Sequence, residues 1–94
     1  MKVRFDWNED KNRSNIAKHG VGFDEARWVF SDPNVIIHED RFVDGEERLH
    51  AIGNVETVLL VVHTFTEQAA DATIRIISAR KATVSERKLY EEGE

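Results

Sequence analysis

The sequence predicts an α+β domain: an antiparallel β-sheet with helices packed on one face, in the order β-α-α-β-β-β-β-α. Three observations carry that prediction. Thr57 to Thr66 is a long aliphatic and β-branched run with apolar residues on both sides, and Thr73 to Arg80 is again β-branched and apolar, the signatures of strands. Asn8 and Gly20 bracket an eleven-residue helical segment with a cap at each end. Near the end, the β-branched run Ile74 to Ile77 leads almost directly into Thr83-Val84-Ser85-Glu86, a capping box that opens a last helix.

Taken in order, Val3, Phe5 and Trp7 alternate with Arg4 and Asp6, which reads as an edge or near-edge strand with one buried side. Glu9 to His19 is the first helix: Glu9 and Asp10 complement its positive end, and Lys18 and His19 its negative end. Phe23, Ala26 and Phe30 share one face of a short second helix that stops near Asp32-Pro33. Val35 to His38 reads as a strand and Glu39 to Glu47 as a polar connection with a turn at Asp44-Gly45. Arg48 to Gly53 is a further strand, turned by Asn54 to Glu56. Thr57 to Thr66 is apolar on both sides and is therefore central. After a polar loop from Glu67 to Asp71, the strand Thr73 to Arg80 returns antiparallel to it, and the last helix runs from Val84 to Glu91.

Ninety-four residues make a single domain, 1–94, with a modest core. The absence of cysteine removes disulfides, thiolate nucleophiles and thiolate metal sites. The scattered histidines form no ligand pair of recognisable spacing, so neither a metal site nor a cofactor is expected. The N-terminal residues lack an apolar signal core and Val58 to Val62 is too short to span a bilayer, so the expected location is the cytoplasm.

The formal charge of -5 argues against binding long duplex DNA through a broad basic face. Its distribution is uneven. Between Ile74 and Tyr90, Arg75, Arg80, Lys81, Arg87 and Lys88 stand against Glu86 alone, so this stretch carries +4 and the rest of the chain -9. A cationic strand end beside free helix amides suits a phosphate, through the planar fork of Arg80 and the compact charge of Lys81. A solvated basic strand end with no ligand is the plainer reading of the same residues.

Strict alternation would put Arg75, Ile77, Ala79 and Lys81 on one side of the strand and Ile74, Ile76, Ser78 and Arg80 on the other. Tyr90, two helical turns beyond Thr83, either packs on the sheet or brings its hydroxyl to this corner. His63 is either a general acid or base or a half-buried strand histidine. Arg48 is either salt-bridged locally or turned into a cleft, and His38 and His50 carry no assigned role.

Several segments together resemble the BrnT-type toxins of bacterial type II toxin-antitoxin pairs, related to RelE-like ribonucleases. They include Phe5-Asp6-Trp7 with Lys11 and Asn15, Lys18-His19-Gly20-Val21, Gly45-Glu46-Glu47-Arg48 and Ile52-Gly53. Leu60 to Thr64 and Ile74 to Ala82 with Glu86, Arg87 and Tyr90 complete the set, so the resemblance covers nearly the whole chain. Gly22 stands where the resemblance leads one to expect a capping serine.

The resemblance implies a RelE-like fold and a metal-independent ribonuclease that inhibits translation. It also implies a BrnA-type antitoxin with a ribbon-helix-helix DNA-binding domain, which forms a heterotetramer with the toxin and supplies the operator contacts that the toxin alone lacks. Metal-free RNA cleavage uses the 2′-hydroxyl against the adjacent phosphate, which requires a proton acceptor, a proton donor and fixed cations. The roles that follow are Arg80 with Arg75 or Lys81 in charge stabilisation, Arg48 as a phosphate contact, and His63 or Tyr90 in proton transfer. The rival reading is a non-catalytic module whose basic corner binds an acidic segment of an antitoxin-like partner. An enzyme acting on small phosphate esters is a third.

Overall fold

The computed structural model describes residues 2–93. Strand β1 (Lys2–Asp6) precedes helix α1 (Glu9–His19), helix α2 (Phe23–Ala26) and a 3-10 turn over Arg27–Ser31. Strands β2 (Ile36–Val43), β3 (Glu46–Val55), β4 (Thr57–Gln68) and β5 (Asp71–Lys81) follow, and helix α3 (Val84–Glu91) closes the described chain. The five strands form one sheet in the order β1-β5-β4-β3-β2, which places β4 at its centre and β1 at an edge. No helix among the described residues is long and apolar enough to cross a membrane.

The caps form as the sequence indicates. Asn8 accepts from the Lys11 amide, and Gly20 takes the left-handed conformation (φ 73°) and returns its N–H to the Ile16 carbonyl. Gly22 caps α2 without a side-chain bond. Asn12 of α1 does that work instead, its Oδ1 accepting from the Phe23 amide at 2.8 Å.

Four corrections matter for the site. First, the sheet is mixed: β2 to β5 are antiparallel, but β1 pairs with β5 in parallel, Phe5 beside Ile74 and Asp6 beside Arg75. Second, Glu39 to Val43 is strand and not loop. The hairpin turn is reduced to Asp44 and Gly45, both at positive φ, the backbone of a tight two-residue connection.

Third, the helices are not confined to one face. Here the sheet face bearing α1 and α2 is called the closed face. It holds the larger core, in which Phe23, Val29, Ala51, Leu59, Val61, Ile76 and Ala79 are buried. On the other, open face, a smaller cluster of Ile36, Ile52 and Leu60 is covered by Tyr90 from α3, which leaves most of that face unroofed.

Fourth, β5 does not alternate strictly. Its register against β4 passes from Val62↔Ser78 to His63↔Ile76, so Ile77 is an extra residue in a bulge. Below the bulge Ile74 and Ile76 face the closed side and above it Ala79 and Lys81 do, while Arg75, Ser78 and Arg80 all face the open side. A second irregularity lies in β2 between Glu39 and Arg41, where the skipped residue is Asp40.

Candidate functional site on the open sheet face

The register lays out the open face as a grid, with strands roughly 5 Å apart. One row runs Arg41, Arg48, then Thr64 and Arg75 across β2 to β5, ending at Asp6 of β1. The next row holds His38, His50, Val62 and Ser78, and the one after it Ile36, Ile52, Leu60 and Arg80. On the other side of the arginine row, Arg4, Thr73 and Thr66 line a depression of about 510 Å³ together with Gln68, Ala69 and Asp71. The protein is acidic overall, yet this face is rich in guanidinium and hydroxyl groups.

The two bulges account for that concentration. Without the extra residue at Ile77, Arg75 and Arg80 would point to opposite sides of β5, since they are five residues apart. In β2 the bulge brings the consecutive residues Asp40 and Arg41 beside His50 and Arg48 respectively. Bulges recur where a strand must re-aim side chains near a functional site.

Arg48 stands out electrostatically. Its Nε is buried and is the one such side-chain nitrogen or oxygen without a hydrogen-bond partner among the described residues. A buried guanidinium N–H left unpaired is costly and is a position that an anionic ligand would relieve. Arg75 Nη1 donates to Asp6 Oδ2 at 2.6 Å, an ion pair whose members keep 41% and 53% of their side-chain exposure and so stay accessible. Arg4 makes no ion pair among the described residues.

The corner at the end of β5 is built differently from the phosphate site that the sequence indicates. Arg80 donates to Glu86 through both terminal nitrogens, at 2.8 and 3.0 Å. Glu86 also accepts from the Thr83 amide at 2.8 Å, while its own amide donates to Thr83 Oγ1 at 3.2 Å. The capping box and the arginine fork thus share one carboxylate, and the protein's own anion occupies the corner. The Arg80 bonds, with help from Thr83 against the opposing effect of burial, depress the Glu86 carboxyl to about 2. Lys81 points to the closed side of the strand end, pairs in register with Leu59, and does not join Arg80.

His63 and Tyr90 are placed apart from the arginines. His63 is 2% exposed on the closed face, its ring edge-on to Phe30 with centroids 4.8 Å apart. Burial holds it below the ordinary histidine range, so the neutral ring belongs to the core and no substrate on the open face reaches it. Tyr90 covers the apolar cluster and donates its hydroxyl to Asp32 Oδ2 at 2.5 Å. Asp32, which also accepts from the Asn54 and Asn34 amides, raises the phenol above its ordinary value.

Sequence reasoning passed over the His50–Asp40 pair, in which Nε2 and Oδ2 are 3.3 Å apart. It also missed the supporting part of Asn15, whose buried carboxamide bonds to the backbone of Ala79. The spacing of His38 and Asp40, two residues apart in a run that continues the strand Val35 to His38, was the available signal for the first.

Fold and face together define a small α+β domain with one closed sheet face and one open face lined with arginines, a class suited to phosphate-bearing ligands. The chain belongs to the BrnT family: the family model for the ribonuclease toxin BrnT of type II toxin-antitoxin systems matches residues 7–86. Among solved structures, the 1.1 Å crystal structure of the Brucella abortus ribonuclease toxin BrnT is similar, with a TM-score of 0.58 and 26% sequence identity. The match covers 87% of this chain and 99% of that one. A search of curated proteins gave no match.

Proposed function

We propose that this toxin cleaves RNA on the open sheet face, without a metal ion, by attack of a 2′-hydroxyl on the adjacent phosphate. The observation that supports this most directly is that Arg48 of β3 and Arg75 of β5 share the unroofed part of one face, with the bulge at Ile77 bringing Arg80 to the same side. Arg48 and Arg75 flank Thr64 in one row, Arg48 with an unpartnered Nε and Arg75 in an accessible pair with Asp6, and both can turn to a phosphate gaining charge, the role for which fixed cationic donors are most effective. Arg80 holds the end of that face through Glu86, and Arg4 with Thr66 and Thr73 extends it toward flanking nucleotides. The dependence on a 2′-hydroxyl would confine the reaction to RNA.

In the cell, on this reading, cleavage in the cytoplasm inhibits translation until an antitoxin covers the toxin. The family resemblance supports a BrnA-type antitoxin whose ribbon-helix-helix domain carries operator binding, with toxin and antitoxin joined in a heterotetramer. The toxin's net charge of -5 fits that division of labour. The deciding experiment incubates antitoxin-free protein with single-stranded RNA in EDTA. Cleavage to 2′,3′-cyclic phosphate and 5′-hydroxyl ends is expected, and Arg75→Ala should slow it. Intact RNA with soluble, folded protein would overturn the ribonuclease reading and favour a non-catalytic antitoxin-binding module.

A further inference from the structure

The open face supplies cations for the phosphate, but the residues singled out from the sequence leave it without a proton acceptor, since His63 lies in the opposite core and Tyr90 is engaged by Asp32. We infer that His50 is the general base of this ribonuclease and that Asp40 is its positioning residue. The inference rests on the ribonuclease reading above.

The placement comes from the register. His50 projects from β3 two residues beyond Arg48 on the same face, opposite His38 in β2 and Val62 in β4. Arg48 is therefore within about 7 Å of backbone along the strand, and Arg75 two strands across, a spacing that spans one phosphodiester with its ribose. The bulge in β2 sets the unpaired residue Asp40 against the imidazole, Oδ2 lying 3.3 Å from Nε2. The two side chains retain 29% and 26% of their exposure, so the pair is partly desolvated but reachable.

That approach favours one tautomer on the inferred role. Asp40 Oδ2 stands at ion-pair distance from Nε2, so a small rotation of either side chain lets Nε2–H donate to it and leaves the Nδ1 lone pair to accept a proton, the orientation that a carboxylate imposes on a catalytic imidazole. In the step itself the 2′-oxygen bonds to phosphorus as the bond to the 5′-oxygen breaks, and the 2′-hydroxyl proton passes to His50 Nδ1. The departing 5′-oxygen takes a proton from water, and the hydroxide left behind is neutralised by the proton that His50 later releases. Arg48 and Arg75 carry the extra charge on the phosphate in between.

A surface ion pair would have the same distance but no effect on chemistry, so the test must read chemistry separately from binding and folding. Antitoxin-free wild type, His50→Ala, His50→Gln and Asp40→Asn are compared on one RNA oligomer in EDTA across pH, and on the same oligomer with 2′-deoxy substitution for binding alone. His50→Ala is expected to lower the cleavage rate by about 10²- to 10⁴-fold with little change in affinity for the deoxy oligomer. It should also abolish the acid limb of the pH–rate profile. Asp40→Asn should keep part of the rate, lowering kcat with little change in KM or in affinity for the deoxy oligomer, as expected of a residue that acts through His50.

The groups facing His50 that shape this profile are Asp40, His38 and Arg41 from β2, Arg48 beside it, and Arg75 and Arg80 from β5. β4 contributes only the neutral Leu60, Val62 and Thr64 on this face, with His63 behind it. If His50→Ala melts below the assay temperature, His50→Gln carries the same comparison. Wild-type rate and an intact acid limb in the folded His50 variants would overturn the assignment while leaving the ribonuclease reading in place. No cleavage by wild type would overturn both.

Discussion

Asn15 closes the open edge of β5 by pairing with Ala79, sixty-four residues away: its Oδ1 accepts from the Ala79 amide at 3.2 Å and its Nδ2 donates to the Ala79 carbonyl at 2.7 Å. β1 ends at Asp6, opposite Arg75, so the upper half of β5 has no strand beside it on that side. A buried side-chain amide from α1 takes the missing strand's place, and the same Nδ2 also donates to the Val21 carbonyl at 2.9 Å. Asn15→Ala is expected to cost about 1 to 3 kcal/mol, the penalty for leaving buried backbone groups unpaired. Asn15→Asp should be no better near neutral pH, because a carboxylate would face two carbonyl oxygens, and should recover partly when protonated. Urea midpoints at two pH values check both.

Gly53 is held by a close approach and not by its backbone angles. A methyl built on it meets Val29 Cγ1 at 2.9 Å and the Val29 carbonyl oxygen at 3.0 Å, so β3 passes directly under the 3-10 turn. Gly53→Ala is expected to destabilise by about 1 to 3 kcal/mol through overpacking. A urea midpoint unchanged from wild type would show that the turn moves aside at no cost.

These two contacts show where sequence reading reaches and where it stops. The ends of α1 and α3 were legible because Asn8, Gly20 and the Thr83–Glu86 box act through bonds to residues three or four away. The parallel β1–β5 pairing was not, since the alternation of Val3 and Phe5 is the same whichever way the neighbouring strand runs. Nor were the bulges: one extra residue at Ile77 reverses the side on which every later side chain lies, and nothing in Ile74 to Ile77 marks it. The polar run Glu39 to Arg41 read as loop because an open sheet face tolerates charges that a two-sided core strand would not. Arg48 and Arg75 were legible as cations, whereas the engagement of Arg80 by Glu86 depends on a chain reversal that brings helix and strand together.

The pH dependence of stability should fall in two stages. His63 is held neutral by burial, so its folded pKa lies below its unfolded one and stability falls as pH drops through the unfolded histidine range. Glu86 is the opposite ionic type with the same direction: its depressed pKa of about 2 contributes stability above about 4.5 that is lost as pH falls toward 2. Because Arg80 is about a third exposed, the second stage is expected to be about 1 to 2 kcal/mol. Urea unfolding from pH 7 to pH 2 should show both, and Glu86→Gln should remove the lower one. Arg80→Ala should lower the melting temperature by disrupting the same pair, a structural role distinct from the phosphate contact that its position in the sequence indicates.

Tyr90 is the only tyrosine in the chain, so its phenol can be titrated by absorbance without interference. Its hydrogen bond to Asp32 raises its pKa above 10.0, because the phenolate would face a carboxylate. The tyrosinate transition is expected above that value in the wild type and closer to it in Asp32→Asn. Tyr90→Phe should lower the unfolding free energy obtained from urea titration by about 1.5 to 3 kcal/mol, the range for a hydrogen bond to a charged group, while keeping the ring over Ile36, Ile52 and Leu60.

Arg48 offers the sharpest separation of function from stability. Its buried Nε has no partner among the described residues, so the folded protein carries a desolvated guanidinium N–H that its own groups do not satisfy. Residues kept for such a purpose commonly oppose stability, and replacing a buried unpaired polar group with an apolar one of similar length relieves that cost. Arg48→Met is therefore expected to leave the urea midpoint unchanged or to raise it. If Arg48 contacts the reacting phosphate, the same variant should lose about 10²-fold or more in RNA cleavage, the scale of removing one donor from a charge-stabilising site. Its affinity for single-stranded RNA should fall as well, with the slope of log affinity against log salt reduced by about 0.7 for the lost phosphate contact. A destabilised Arg48→Met whose folded fraction cleaves at the wild-type rate would show that the guanidinium serves the fold, and that the phosphate is held elsewhere on the face.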